Sequence, residues 1–202
     1  MSPAAGLRER KKQQTRDRIV RTALRLFAKR GFEATTIADI AAAADVAPRT
    51  FFAYFPSKEA VVFHDFAEVH DRFAERLRGR PPEETVFDAL RAWIVEWMRT
   101  RRSEPTHRRQ HEVILATPAL QAHERENLAR FGDLIAEGVA ADLDVAPDSL
   151  RARLVSAAAV AALESLRDFD PGTEDEDRAL AILDHAIEFL QGGLDALRRA
   201  PA

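Results

Sequence analysis

The chain has 202 residues, of which 46% are hydrophobic and 31% are charged, a composition that suits a globular protein with one large core or two small ones. It contains no cysteine, which excludes disulfides, thiol catalysis and cysteine-based zinc sites. No apolar run approaches the roughly 18 residues of a membrane helix, and residues 1–14 lack the apolar segment of a signal peptide. We therefore expect a cytoplasmic protein with no membrane partner.

The net charge of −3 conceals an asymmetry along the chain. Residues 1–60 hold 12 Lys and Arg against 6 Asp and Glu, whereas the remaining residues hold 18 against 27. Within residues 7–30 the counts are 10 basic and 2 acidic. Such a cluster is either a solvated tail or a surface that follows nucleic-acid phosphates. We predict that residues 1–14 form a flexible basic arm.

Helical spacing of apolar residues predicts a first helix over about residues 15–29, closed by Gly31 as a left-handed C-terminal cap. A second helix of about two turns follows. Thr36, with Asp39 three residues later, is the capping-box pattern that opens it.

Residues 45–47 interrupt the second helix, and Pro48 can open a third one because the first helical position has no N–H bond to lose. The third helix turns its aromatic side chains inward and presents Arg49 outward. Two short helices joined by a tight turn place a helix in a DNA major groove. We expect Pro48, Arg49 and Thr50 to contact bases, with Arg49 donating a paired hydrogen bond to guanine O6 and N7.

Residues 15–63 resemble the N-terminal domain of the tetracycline-repressor (TetR) family of one-component transcriptional regulators. The matching positions are 30–32, 35–37, 40–41, Val46 and 54–59. The resemblance implies a helix-turn-helix DNA-binding domain at residues 15–57 and a helical ligand-binding and dimerisation domain at residues 58–202. It also implies phosphate contacts by Thr36, Thr50, Tyr54 and Lys58.

Three residues depart from the usual pattern of that family. Asp45 stands where the family usually has glycine at the turn, and Ala47 where it usually has a serine or threonine N-cap. Phe52 stands where a tyrosine hydroxyl often contacts a phosphate. The resemblance therefore implies a strained turn, a recognition helix without a side-chain cap, and a DNA contact from the ring edge of Phe52.

From residue 57 onward the sequence is helical throughout, with no alternating strand pattern. Helices are predicted at about residues 57–77, 83–101, 106–116, 118–143, 148–169 and 175–198. The breaks between them contain proline, at positions 81–82, 105, 118, 147 and 171. With the three N-terminal helices, the fold is predicted to be all-α with about nine helices.

The second domain offers candidates for a ligand pocket. The candidate lining residues are Phe66, Phe73, Trp93, Ile94, Trp97, His111, Leu115, Phe131 and Ile135. Aromatic stripes at helical spacing most often form a core, but members of the resembled family bind small inducers there, so we expect a small hydrophobic or amphipathic effector. An anionic head group, as in an acyl thioester or a fatty acid, could meet the nearby Arg101, Arg102, Arg108 and Arg109.

The last two helices carry apolar surface for more than one neighbour. In the final helix a heptad seam lies beside a parallel stripe of smaller residues. Both stripes could pack inside a monomer, or they could form a four-helix bundle from two chains, as the resemblance implies. We predict a homodimer whose interface includes Ala158, Ala161, Ala162, Leu183, Ile187, Leu190 and Leu194.

The sequence thus favours a DNA-binding transcriptional regulator, a ligand-responsive repressor that binds a palindromic double-stranded DNA operator as a homodimer. The alternative is a ligand-blind architectural or weakly specific DNA-binding dimer. His107 and His111 lie four residues apart, but no third ligand stands at a recognised spacing, so no metal site is expected. No Gly-rich phosphate loop or serine elbow is evident, so we expect neither a cofactor nor an enzymatic activity.

Overall fold

The structure, a computed structural model, describes residues 3–101, 105–168 and 176–199. The described residues form ten α-helices and no strand, which confirms the all-α prediction. The helices are α1 (Pro3–Arg30), α2 (Ile37–Ala43), α3 (Pro48–Phe52), α4 (Lys58–Val62), α5 (Phe66–Arg78), α6 (Val86–Arg101), α7 (Pro105–Leu115), α8 (Pro118–Leu143), α9 (Leu150–Asp168) and α10 (Glu176–Arg199). The predicted helix ends at residues 169 and 175 lie outside the described residues. Among the helices described, none has the length and apolarity needed to cross a membrane.

The count of ten rather than about nine arises because α4 and α5 replace one predicted helix. The N–H of Phe66 bonds to a carbonyl three residues back instead of continuing the helical ladder to Val62. The side-chain amide of Gln110 donates to the carbonyl of Val62 at 2.6 Å, and the guanidinium of Arg16 donates to the carbonyl of His64. Because donors from α1 and α7 satisfy this turn, the local apolar spacing does not reveal it.

Helix α1 begins at Pro3, not at the predicted residue 15. The side chains of residues 7–14 are all exposed, so no apolar periodicity marks this part of the helix. Arg, Lys, Gln and Glu are nevertheless good helix formers, which favours continuation of the helix. The described part of the segment predicted as a flexible arm is therefore the N-terminal part of α1. Gly31 closes α1 with φ of 86°, as predicted.

The chain divides into two compact units, one of Met1–Phe66 with Glu104–Ala122 and one of Ala67–Ser103 with His123–Ala202. The predicted boundary after residue 57 therefore differs from the observed one.

Helices α4 and α7 belong to the first unit because they complete its core. Val61 and Val62 on α4 are fully buried, and Val113 and Ile114 on α7 are almost so, in one cluster with the three N-terminal helices. The three N-terminal helices alone enclose little apolar surface, and α4 and α7 add the side chains that cover it.

The heptad seam of α10 lies in the core of the second unit. Leu183, Ile187, Leu190 and Leu194 are only 1–4% exposed within the single chain, in one cluster with side chains of α6, α8 and α9. These four side chains, predicted for a dimer interface, therefore have almost no surface left for a second chain. A heptad stripe has the same spacing whether its partner helices come from the same chain or from another, so the sequence could not decide.

A buried ion pair fixes the start of α6 against the C-terminal part of α8. Asp142 accepts a hydrogen bond from Arg80 Nη2 at 2.6 Å and another from the backbone N–H of Val86 at 2.8 Å. The same guanidinium donates to the carbonyl of Gly138 at 3.2 Å. A Cβ at Gly138 would lie 2.5 Å from Val86 Cγ2, so this close approach requires glycine.

Candidate nucleic-acid interface and ligand groove

Thr36 is the N-cap of α2 and forms the predicted capping box with Asp39. Its hydroxyl accepts a bond from the Asp39 N–H at 3.1 Å and donates to the Asp39 carboxylate at 2.6 Å, and its backbone N–H donates to that carboxylate at 3.0 Å. The hydrogen bond from the Thr36 hydroxyl is the main cause that holds the pKa of Asp39 below its usual value, and the bond from the Thr36 backbone N–H adds to it. The hydroxyl proton of Thr36 is thus engaged within the chain, and a phosphate would have to replace Asp39 as its acceptor.

The turn between α2 and α3 is a Schellman cap with Asp45 as its left-handed residue. The N–H of Val46 bonds to the carbonyl of Ala41 at 3.0 Å, and the N–H of Asp45 bonds to the carbonyl of Ala42 at 3.2 Å. Asp45 has φ of 52°, a conformation that costs a non-glycine residue roughly 1–2 kcal/mol. The expectation of a strained turn at this position is confirmed.

Helix α3 begins without a side-chain cap, as the sequence predicts. Ala47 is its N-cap and makes no side-chain hydrogen bond, while Pro48 follows it at the start of the helix. Phe51 and Phe55 are 0% and 2% exposed in the core of the first unit. These two rings, rather than a cap, hold α3 in place.

The opposite side of α3 is open to solvent. Pro48, Arg49 and Phe52 are exposed, as is Ala53 immediately after the helix. Arg49 and Phe52 stand three residues apart, which places them on one face. Phe52 is 55% exposed, and its ring makes an edge-to-face contact with that of Phe51 at 5.7 Å between centroids. We call Pro48, Arg49, Phe52 and Ala53 the α3 face.

The other predicted phosphate contacts are less exposed than the α3 face. Thr50 and Tyr54 are half-buried, and Tyr54 packs against the core. Lys58 Nζ donates to the carbonyl of Phe32 at 2.8 Å, lies 4.2 Å from the centroid of that ring, and is 3.7 Å from the carboxylate of Glu33. A lysine in the first turn of a helix opposes the helix dipole, and these contacts compensate for that cost without DNA.

In the second unit, α5 and α6 form a shallow groove that is open to solvent. Its lining residues are Val69, Arg72, Trp93, Glu96, Trp97 and Thr100. Arg72 lies 3.6 Å from Glu96, and both side chains are more than half exposed. An exposed ion pair contributes only about 0–1 kcal/mol, so a ligand anion could replace Glu96 beside Arg72 at little cost.

The predicted pocket residues do not form one cluster. Trp93 and Trp97 line the groove in the described part of the second unit. Phe73, Phe131 and Trp93 form an aromatic cluster with centroids 5.0–5.9 Å apart, so Phe73 and Phe131 belong to the core. Core positions are also held by Ile94 and Ile135.

Three predicted pocket residues, Phe66, His111 and Leu115, belong to the first unit. Arg108 and Arg109, considered for a head group, are exposed on α7 of that same unit. Arg102 and the side chain of Arg101 lie outside the described residues. The cation that lines the groove is Arg72, which the sequence analysis missed.

The missed lining residues carry a signal that the sequence does contain. Val69 and Arg72 stand three residues apart on α5, and Trp93, Glu96 and Thr100 follow helical spacing on α6. Aromatic spacing does not reveal them, because a charged or polar residue at the rim of a groove has the same sequence pattern as any solvated position.

Helices α9 and α10 carry an exposed apolar surface. It comprises Leu150, Leu154, Ala157 and Ala161 on α9, with Phe189, Gly193 and Ala196 on α10, and we call it the α9–α10 apolar face. The exposed fractions of Leu150, Leu154 and Phe189 are 72%, 57% and 70%. Ala161 was predicted for the interface and lies in this face, while the predicted Ala158 and Ala162 are half-buried.

Two family profiles match this chain. The profile of bacterial regulatory proteins of the tetR family matches residues 19–64, and that of the MftR C-terminal domain matches residues 84–195. The HTH-type transcriptional regulator TcmR of Streptomyces glaucescens is 35% identical over 163 residues, which cover 75% of this chain and 71% of TcmR. The regulator MftR of Mycobacterium tuberculosis is 36% identical over 132 residues, covering 65% of this chain and 67% of MftR.

Solved structures share the fold. NalD, the secondary repressor of the MexAB-OprM multidrug efflux pump in Pseudomonas aeruginosa, superposes with a TM-score of 0.65 at 22% identity, covering 90% of this chain and 97% of NalD. SmeT of Stenotrophomonas maltophilia, in complex with triclosan, superposes with a TM-score of 0.62 at 18% identity, covering 91% of each chain. At such identities these likenesses show the fold alone.

Proposed function

The chain belongs to the tetR family of bacterial regulatory proteins, and on that premise we propose how its own residues read DNA, dimerise and receive a ligand. Members of the family are DNA-binding repressors and usually ligand-responsive homodimers, and the chain is a DNA-binding transcriptional regulator. The exposed α3 face is the observation that carries the proposal. The buried Phe51 and Phe55 fix α3 to the core on its opposite side. The proposal includes a cytoplasmic location, because the bacterial chromosome lies in the cytoplasm.

Helix α3 is the proposed recognition helix, and Arg49 is its principal base reader. The guanidinium is exposed, and its fork of donors matches the O6 and N7 acceptors of guanine, a pairing worth about 1–3 kcal/mol of discrimination. Pro48 and Thr50 flank it at the start of the helix. Thr50 and Tyr54 are the better candidates for phosphate contacts, because the donors of Thr36 and Lys58 already have acceptors within the chain.

The N-terminal part of α1 is a second proposed phosphate contact. Arg8, Arg10, Lys11 and Lys12 are all exposed there, which favours nonspecific attraction to the DNA backbone. Removal of these charges should flatten the salt dependence of binding without altering which sequence is preferred.

Substitution of Arg49 tests the reading of bases. An operator obtained by selection from a random duplex pool should bind Arg49→Ala about 5- to 150-fold more weakly per half-site than the wild type, while affinity for unrelated duplex changes little. Arg108→Ala, which removes one exposed positive charge from α7 of the same unit, is the matched control and should preserve the preference. Equal losses on operator and unrelated DNA for Arg49→Ala would refute base reading.

We further propose that the α9–α10 apolar face is the dimer interface. Exposed apolar side chains of this size commonly mark a protein-binding surface. A Cβ added at Gly193 would lie within 4 Å of no atom in the described part of the chain, so packing among those residues does not require glycine there, although glycine costs a helix about 0.5–1 kcal/mol. Close approach of a second copy would account for it, and a two-fold dimer would present its two α3 helices to a palindromic operator.

Sedimentation equilibrium tests this interface. Phe189→Ala should raise the dimer dissociation constant, because the ring is 70% exposed in the monomer and would be buried against the partner. Leu115→Ala removes a comparable exposed apolar side chain from the first unit and should leave dimerisation unchanged. An unaltered dissociation constant for Phe189→Ala would show that the dimer forms elsewhere.

The groove between α5 and α6 is the proposed effector site. Trp93 and Trp97 offer apolar walls and Arg72 a cation, which suits a small amphipathic acid such as a fatty acid or an acyl thioester. A ligand bound there would release DNA if it favoured the dimer conformation that binds DNA weakly. A preference of about 1–3 kcal/mol would lower the affinity for DNA 5- to 150-fold.

Tryptophan fluorescence tests the effector site, because the chain has two tryptophans and both line this groove. Medium-chain fatty acids and their thioesters should quench the emission and weaken operator binding over the same concentration range. Arg72→Ala should shift both effects to higher concentration. Quenching without any change in operator affinity would favour the ligand-blind DNA-binding dimer instead.

A further inference from the structure

Phe52 is exposed in a way that its own fold does not require. The residue is 55% exposed, although the buried Phe51 and Phe55 already anchor α3. The edge-to-face contact with Phe51 orients the ring at 5.7 Å without covering it. An apolar ring presented to water on a face otherwise suited to DNA calls for an apolar partner on that DNA.

The major groove contains one apolar group on its base edges, the C5-methyl group of thymine. A phenylalanine ring recognises it by excluding water, since it has neither donor nor acceptor for the polar edges of the other bases. We propose that Phe52 reads a thymine methyl in each half-site. This inference rests on the proposed function, because it requires that the α3 face enter the major groove.

The position of Phe52 relative to Arg49 restricts which thymine it can read. The two residues stand three positions apart on one face, which corresponds to roughly 4.5 Å along a helix axis. Successive bases of one strand are separated by about 3.4 Å. The thymine read by Phe52 therefore lies within one or two base pairs of the guanine read by Arg49.

A double-mutant cycle between protein and DNA tests the pairing. The probe is an operator duplex selected by the wild-type protein from a random pool, in which each thymine is replaced in turn by deoxyuridine, which lacks only the methyl group. At one thymine per half-site, loss of the methyl should weaken wild-type binding about fourfold, or about fifteenfold when both half-sites are changed. The same replacement should change the affinity of Phe52→Ala by less than twofold.

Phe52→Leu keeps an apolar side chain and should retain part of the coupling, and it serves as the second variant if Phe52→Ala does not fold. Deoxyuridine effects of equal size in the wild type and in both variants would overturn the inference. A uniform loss for Phe52→Ala on all sequences would also overturn it and assign the ring to the DNA backbone. In both cases Arg49→Ala would still lose operator preference, whereas a wild type without sequence preference would refute the proposed function itself.

Discussion

Replacing Asp142 by alanine should destabilise the second unit strongly. The side chains of Asp142 and Arg80 are 8% and 13% exposed, and the Asp142 carboxylate binds the guanidinium of Arg80 as well as the backbone N–H of Val86. Its removal leaves a largely buried cation with the Gly138 carbonyl as its remaining acceptor among the hydrogen bonds described. Breaking a buried pair in this way costs about 3–5 kcal/mol, and we expect that loss in the free energy of unfolding. Asp142→Asn keeps an acceptor for the N–H and should lose about 1.5–3 kcal/mol.

Urea unfolding followed by tryptophan emission measures this loss, because both tryptophans lie on α6 of the same unit. The pair of Arg91 and Asp184 is the matched control: its Nε–Oδ1 distance is also 2.6 Å, but its side chains are 44% and 40% exposed. Asp184→Ala should therefore cost no more than about 1 kcal/mol. If Asp142→Ala and Asp184→Ala lost the same small amount, burial would not determine the strength of this ion pair.

Further substitutions test local features of the fold. Ala47→Ser should supply the missing cap of α3 and raise the unfolding free energy of the first unit by about 0.5–2 kcal/mol in thermal melts of helical ellipticity; no gain would mean that α3 needs no cap. Gly138→Ala should destabilise the second unit by about 1–3 kcal/mol in urea unfolding, because the new Cβ would collide with Val86. Gly192→Ala, where a Cβ would lie within 4 Å of no described atom, should stabilise the unit by about 0.5–1 kcal/mol. The opposite order would contradict the close approach of Gly138 to Val86. The hydrogen bond from Arg91 lowers the pKa of Asp184. The contribution of this ion pair to the free energy of unfolding is therefore present above the usual carboxylate pKa of about 4 and is lost on acidification below it. The wild type and Asp184→Asn should thus converge in stability at low pH in urea titrations, and a constant difference would argue against the pairing.

Features set by neighbouring residues could be predicted from the sequence. The capping box of Thr36 and Asp39 and the left-handed turn at Asp45 depend on residues a few positions apart, and all are found as expected. The same holds for the start of α3 at Pro48 and for its inward aromatic face. These signals are local, so no knowledge of the tertiary fold was needed to recognise them.

Features that join distant residues could not be predicted in this way. The bond from Gln110 to the Val62 carbonyl, which ends α4, and the ion pair of Arg80 with Asp142 link residues far apart in sequence. The resemblance implies a phosphate contact by Lys58, and it could not show that the same ammonium donates to the carbonyl of Phe32, which is likewise remote in sequence. Each is a polar contact that packing makes possible, and the spacing of polar residues along the sequence does not show which residues they contact.

The sequence also could not show which apolar side chains of α10 belong to the core and which remain on the surface. Leu190 and Phe189 are adjacent on α10, yet one is 3% exposed and the other 70%. Two parallel stripes on one helix show that it has two apolar neighbours, but they do not show which neighbour belongs to the same chain. In the folded chain the stripe containing Leu190 is buried and Phe189 stays exposed.

Methylation interference at guanine N7 tests the central claim, that Arg49 of α3 reads the operator in the major groove. A methyl group on N7 removes one of the two acceptors that the guanidinium would use. We expect methylation of one guanine per half-site to block binding of the wild type and to have no additional effect on Arg49→Ala. Identical interference patterns for the two proteins, or none at any guanine for the wild type, would contradict the claim.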